Sequence, residues 1–198
     1  MSSEGARGET RMEEPTAAER AVARRAAESR ATVPSLELSL ALQKGQTVQS
    51  VPLVRACAMA LREHPRANAA YRDGRFELYS RINVGVVIAT EDTYVIPTVF
   101  DADRVALAEL EHELERLATE AVAGTLAAPA FTAATFTVWN ASAHGIAGAS
   151  IPVVPPQAAA LAAGTHALTL SCDHRILYGA RAAAFLQSIA HHLDSGRA

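Results

Sequence analysis

The chain has 198 residues, enough for one domain with a sizeable core. Apolar residues make up 49% and charged residues 20%, the balance of a globular protein and not of a disordered one. A net charge of −3 offers no basic face to nucleic acid or a membrane, and no apolar run approaches the ~18 residues of a membrane span.

The polar start "MSSEGARGETRMEEPT" lacks the apolar segment of a secretion signal, so the expected compartment is the cytoplasm. Residues 1–15 read as a mobile tail, and residues 16–198 as a single domain. The two cysteines, Cys57 and Cys172, sit inside apolar patterns with no zinc spacing, so neither a disulfide scaffold nor a metal site is expected.

Thr16 and Glu19 have the spacing of a capping box and open a helix to about Arg30, with Arg20, Arg24 and Arg25 on its polar face. Leu36, Leu38 and Leu40 alternate with Glu37 and Ser39, the period of a half-buried strand. Val51 to His64 has helical spacing through Val54, Ala58 and Leu61, and Pro65 ends it. Asp73-Gly74 predicts a hairpin, followed by a long strand through Val84, Val86 and Ile88 that is buried on both faces. "YVIPTVF" predicts another strand. Asp103 is placed to cap a helix over 104–123 with Leu107, Leu110, Leu114 and Leu117 as its apolar stripe.

"ATFTVWN" is a strand followed by a glycine-bearing irregular stretch, and "AAALAAGTHALTLSC" is a hairpin turning at Gly164-Thr165. The last helix, 180–193, presents Phe185, Leu186, Ile189 and Leu193; the adjacent His191 and His192 at its end read as solvated. Together these elements predict an α/β (α+β, two-layer) fold: a mixed sheet with helices packed on it.

Six segments, in order, resemble a known family. "AERAVARRAAESRATVP", "LVRACAMALREHPRANAAY", "INVGVVIATEDTYVIPTVFDAD", "TFTVWNASAHGIAG", "PPQAAALAAG" and "SCDHRILYG" are similar to segments of the catalytic domain of dihydrolipoamide acyltransferases from 2-oxo acid dehydrogenase complexes. The likeness covers roughly residues 16–193. It implies a chloramphenicol acetyltransferase-like fold and a homotrimer with sites between subunits. It also implies acyl transfer with coenzyme A or acyl-CoA as substrate and no metal. His174 then aligns with the general base that takes a proton from the attacking thiol or hydroxyl.

Two positions depart from the family pattern. The last Asp of its S-x-D-H-R-x-x-D-G motif is Tyr178 here, and the Ser or Thr that stabilises the oxyanion aligns with Trp139. Asn140, Ser142 or backbone N–H groups around Gly145 are candidate replacement donors, while Trp139 reads either as packing or as a surface stacking on substrate. Asp173 and Arg175 are expected to brace the loop, and Tyr178 either fills the Asp site or offers its hydroxyl. Cys172 and His174, two apart on a strand, leave a Cys–His nucleophilic pair open. His144 and His166 fall near the site by alignment.

The chain shows no lipoyl domain, and so no lipoyl group of its own, and no peripheral subunit-binding domain. The expectation is therefore a stand-alone acyltransferase-like enzyme. It would move an acyl group from acyl-CoA or an acyl carrier to a small-molecule substrate, in a natural-product pathway. The alternatives are a binding or assembly subunit and a one-base reaction such as cyclisation or elimination.

Overall fold

The computed structural model describes residue 8 and residues 10–43, 45–91 and 93–196. Most of the tail expected over residues 1–15, namely 1–7 and 9, lies outside the described residues; residues 10–15 carry no regular element.

Helix α1 (Ala17–Thr32) opens with the expected capping box: Thr16 Oγ1 accepts from Glu19 N–H, and Glu19 accepts from Thr16 N–H at 2.6 Å. Strand β1 (Ser35–Ala41) alternates half-buried leucines with exposed residues, as a sheet edge over a core should. Helix α2 (Ser50–Glu63) stops at a short 3₁₀ turn begun by Pro65. Strands β2 (Ala69–Arg72) and β3 (Arg75–Leu78) form a separate hairpin. Its turn residues Asp73 and Gly74 both have positive φ, 47° and 75°, which suits the two-residue turns that follow strand twist.

The long strand expected after this hairpin is split. Strand β4 (Val84–Val86) is fully buried in the main sheet. Beyond Val87 the chain leaves it, and β5 (Ile88–Ala89) pairs with β6 (Tyr94–Val95) alone. "YVIPTVF" is split too, into β6 and β7 (Thr98–Val99). Pro97 has no N–H to donate, and its carbonyl instead accepts from Val86 N–H at 2.8 Å.

Helix α3 spans Leu107–Ala123 and starts later than expected. Asp103 does not cap it, because its carboxylate takes Arg62 of α2. The Arg55 guanidinium donates to the carbonyls of Ala102, Asp103 and Val105, which holds that stretch out of helical geometry. Leu110, Leu114 and Leu117 are buried, but Leu107, on the first turn, is exposed.

Strands β8 (Phe136–Asn140), β9 (Ala159–Ala163) and β10 (Ala167–Asp173) complete a six-stranded mixed sheet, ordered β1-β10-β9-β8-β4-β7. Pairs β9/β8 and β8/β4 are parallel; the others are antiparallel. Helix α4 (Gly179–Ser195) packs with α2 on one face, where Phe136 and Phe185 meet edge-on at 5.7 Å. His192 is not simply solvated: its Nε2 lies 2.8 Å from Glu63.

The register gives β10 two chemically different faces. Leu168, Leu170 and Cys172 join the helix-side core. Thr169, Ser171 and Asp173 face the other way, beside Ala162 and Ala160, in line with Trp139 and Thr137 of β8. Over that second face runs the irregular segment 145–158. It is tied down at the β9–β10 turn, where Thr165 and His166 donate N–H groups to the carbonyls of Ile146 and Ala147 at 2.8 and 2.9 Å.

A Cβ on Gly164 would lie 2.3 Å from the Ala147 carbonyl oxygen, so this close approach requires glycine. Gly164→Ala is expected to cost about 1–3 kcal/mol, read by urea unfolding, with earlier proteolysis within 145–158. Unchanged stability would show that the approach does not hold the segment.

Candidate active site

Strand β10 delivers Asp173 to the end of the sheet, and there the chain turns tightly. The Asp173 carbonyl accepts from Ile176 and Leu177 N–H, both at 2.9 Å, and those two side chains are buried. The Asp173 carboxylate is itself buried. It accepts from Arg175 through the backbone N–H at 2.9 Å, Nε at 3.0 Å and Nη2 at 2.6 Å. This pairing holds the Arg175 guanidinium above its ordinary pKa, and the same group lies 5.0 Å from the Tyr71 ring. A bidentate, partly buried pair of this kind is the sort that fixes geometry.

Between the paired residues stands His174. Its backbone N–H donates to Pro34 at 2.8 Å, and its ring is exposed. Among the described residues neither ring nitrogen has a hydrogen-bond partner. The Tyr178 ring lies edge-on, 6.4 Å away between centroids, and is half exposed. Tyr178 also precedes α4 without making a side-chain cap.

The Cys172–His174 pair does not form. Cys172 is the last residue of β10 in the helix-side core, with its Sγ near the carbonyls of Leu36 and Leu177. His174 has already left the strand, so the alternation that would align them no longer applies. Burial, helped by the Asp173 charge, pushes the Cys172 thiol up to about 12.

Trp139 stands on the second face of the sheet, at the far end of β8. The polar groups beyond it are already engaged. The Asn140 amide donates to the Val48 carbonyl and Ser50 Oγ at 3.2 and 3.1 Å. Ser142 Oγ lies 2.6 Å from Asn140 Oδ1 and 3.1 Å from the Val48 carbonyl. The N–H groups of Gly145 and Ile146 turn back to the carbonyls of Ser142 and Ala141. These bonds tie the end of β8 to the start of α2.

Trp139 and His144 line an apolar cavity of about 330 Å³ with Arg25, Tyr94, Ile96 and Val153. A second cavity, about 620 Å³, adjoins it and shares Arg25, Ile96, Thr137 and Val154. A third, about 180 Å³, lies on the helix side of Trp139, between Leu53 and Leu114. His166 lies elsewhere, exposed on the β9–β10 turn, 3.2 Å from the Thr165 hydroxyl.

Within one chain the two halves of the expected site are apart. Asp173 N–H bonds to Ala158, whereas Trp139 lies opposite Ala162. Four residues along a strand and two strand spacings across give a separation of roughly 16 Å. His174 lines none of the three cavities.

A family model described as "2-oxoacid dehydrogenases acyltransferase (catalytic domain)" matches residues 36–197. The chain belongs to this acyltransferase family. A relative from Arabidopsis thaliana, named a dihydrolipoyllysine-residue acetyltransferase component of the mitochondrial pyruvate dehydrogenase complex, is 32% identical over 163 residues. The aligned part is 72% of this chain and 30% of the relative. The chain thus spans about 30% of the length of the curated relatives it matches first.

Among solved structures, the cubic core of a pyruvate dehydrogenase multienzyme complex gives a TM-score of 0.89 at 23% identity, covering 97% of this chain and 94% of the other. The dihydrolipoamide acetyltransferase of Azotobacter vinelandii gives 0.88 at 23% identity, covering 96% and 93%. In that protein the catalytic roles of a serine, a histidine and an asparagine four residues after the histidine have been investigated. Chloramphenicol acetyltransferase gives 0.57 at 16% identity, covering 81% and 89%. The acyltransferase fold expected from the sequence is the fold observed.

Among the described residues no group of His, Cys, Asp and Glu is arranged to hold a metal, and no helix is long and apolar enough to cross a membrane. Arg25, on the polar face of α1, is half-buried because α1 packs over β6, a placement that nothing local in the sequence signals.

Both cysteines are buried, and burial raises the Cys57 thiol as well. Neither thiol should therefore react with a disulfide reagent at pH 8 in the native protein, and both should react after unfolding. The sign for stability follows. An unfolded thiol ionises above pH ~8.5 while the folded ones stay protonated, so stability falls as pH rises past that value. Rapid native labelling of Cys172 would contradict its placement.

Proposed function

We propose that the chain is an acyltransferase in which the exposed imidazole of His174 acts as general base. It takes the proton from the thiol, hydroxyl or amine of an acceptor as that group attacks an acyl-CoA or acyl-carrier thioester, and returns it to the coenzyme A or carrier thiolate that departs as the C–S bond breaks. The carrying observation is the buried Asp173–Arg175 brace, which fixes the turn at the mouth of the sheet and presents an exposed imidazole with, among the described residues, both nitrogens unengaged. The brace fixes the backbone on both sides of His174 and leaves its imidazole nitrogens open to an acceptor.

The separation of His174 from the Trp139 cavity supports a site shared between copies, His174 of one protomer facing the cavity of the next. A homotrimer is the proposed assembly, and the likeness to a cubic pyruvate dehydrogenase core supports it. Trp139 and Tyr178 stand where the family pattern carries hydroxyl and carboxyl side chains. They support an acceptor other than the usual one, a small molecule of the kind made in natural-product pathways.

His174→Ala is expected to lower turnover of acyl-CoA with a competent acceptor by about 10²–10⁴-fold, leaving the unfolding midpoint close to wild type. Equal turnover by both proteins would remove His174 from the mechanism. Light scattering should give three times the protomer mass; a monomer would remove the shared site.

A second reading is favoured by one observation: the hydrogens of Asn140 and Ser142 are already engaged, and Trp139 has no hydroxyl. Without an oxyanion donor the protein would be a binding or assembly subunit, or would run a one-base cyclisation or elimination. Calorimetry with coenzyme A separates these. Micromolar binding supports acyl transfer, and its absence supports the second reading.

A further inference from the structure

The two cavities on the second face of the sheet form one cleft with unequal halves. Around Trp139 it is apolar, walled by Ile96, Val153 and Val154. Past the shared residues it becomes polar, with Arg72, Tyr79, Arg81 and Gln157. Arg25, on α1, lines both halves and so marks the neck between them.

Three guanidinium groups line this cleft, and two are already matched. Arg72 lies 3.1 Å from Glu77, and Arg81 is 2.6 Å from Asp101 in a bidentate pair. Arg25 is half-buried and, among the described residues, has neither an ion-pair nor a hydrogen-bond partner. No described carboxylate lines either half. The nearby Thr137 hydroxyl is spent on Gln157 at 2.7 Å. A guanidinium that has given up part of its hydration beside an apolar wall gains most from an oxyanion accepting its fork of N–H groups.

We propose that Arg25 anchors an oxyanion on the ligand of this cleft, so that the protein selects amphiphilic anions: an apolar body against Trp139 and a carboxylate or phosphate at the neck. The assignment deepens the acyltransferase reading by naming its substrate class, and it rests on the Trp139 cleft being the acyl-transfer site. A carboxylate would belong to the acyl group or acceptor, a phosphate to a carrier arm; both satisfy the same donors.

Trp139 is the sole tryptophan of the chain, so its emission reports on the apolar half directly. Wild-type protein is titrated with hexanoate, hexyl phosphate and 1-hexanol. At least one of the two anions should bind about tenfold or more tighter than hexanol. Whichever anion shows the larger preference identifies the oxyanion. Arg25→Gln should bring that anion down to the affinity of hexanol, while hexanol itself binds as before and so shows that the cavity persists. Arg24→Gln, on the exposed side of α1, should change nothing.

Anions binding wild type no better than hexanol would overturn the proposal, as would an Arg25→Gln protein that keeps the preference. Should Arg25→Gln lose hexanol binding through collapse, Arg25→Lys is read instead: a preference retained supports the anchor, and a preference lost refutes it. The readout is binding alone. A wild-type protein that prefers anions but shows no turnover would sink the acyltransferase reading and leave the anchor standing.

Discussion

Strand β10 lies between β1 and β9, paired residue by residue from Ala167 to Asp173 on one side and from Leu168 to Cys172 on the other. That double pairing fixes everything downstream. Strand side chains alternate, so a slip of one residue would carry Cys172 out of the core and bury the wrong face. In the observed register the leucines face α2 and α4, and Asp173 arrives at the sheet end pointing away from them. Its carboxylate can then bind Arg175 and its carbonyl can close the turn. The exposure of His174 is a consequence of this register and not of its own polarity.

The same sheet keeps His174 and Trp139 apart within one chain. Strand β9 is built of small residues, Ala159–Ala163 with one leucine, and is buried throughout. Small side chains let the helices approach from one side and let segment 145–158 settle on the other, where Gly164 meets Ala147. The cleft around Trp139 forms under that segment. Two strands and several residues separate it from the turn that holds His174, which is why the proposed site is shared between copies. Arg25 enters by a different route, through the packing of α1 on β6.

Much of the architecture was legible because its causes are local. Alternating leucines give β1, the Thr16–Glu19 spacing gives the start of α1, and Asp73-Gly74 gives the hairpin turn. The misjudged elements have separate causes, and only at Asp103 did distant partners override the local signal. Asp103 has a good cap residue's chemistry, but Arg62 claims it and Arg55 holds the following carbonyls. The two apolar runs at 84–89 and 94–99 look continuous, yet Pro97 and the departure of the chain beyond Val87 divide each. Cys172 and His174 satisfy a strand alternation that ends one residue too soon.

The motif "SCDHRILYG" singled out His174 as a candidate, and six segments in order identified the family, because motif chemistry needs particular residues at short spacing. The resemblance also singled out Trp139 and Tyr178 as departures from the family pattern. Only the tertiary structure decided that Asp173 and Arg175 lock together, that the hydrogens of Asn140 and Ser142 are already engaged, and that Arg25 stands without a partner among the described residues at the neck of the Trp139 cleft. Those facts depend on strand order and helix placement, which bring together residues far apart along the chain, and no local spacing records such meetings.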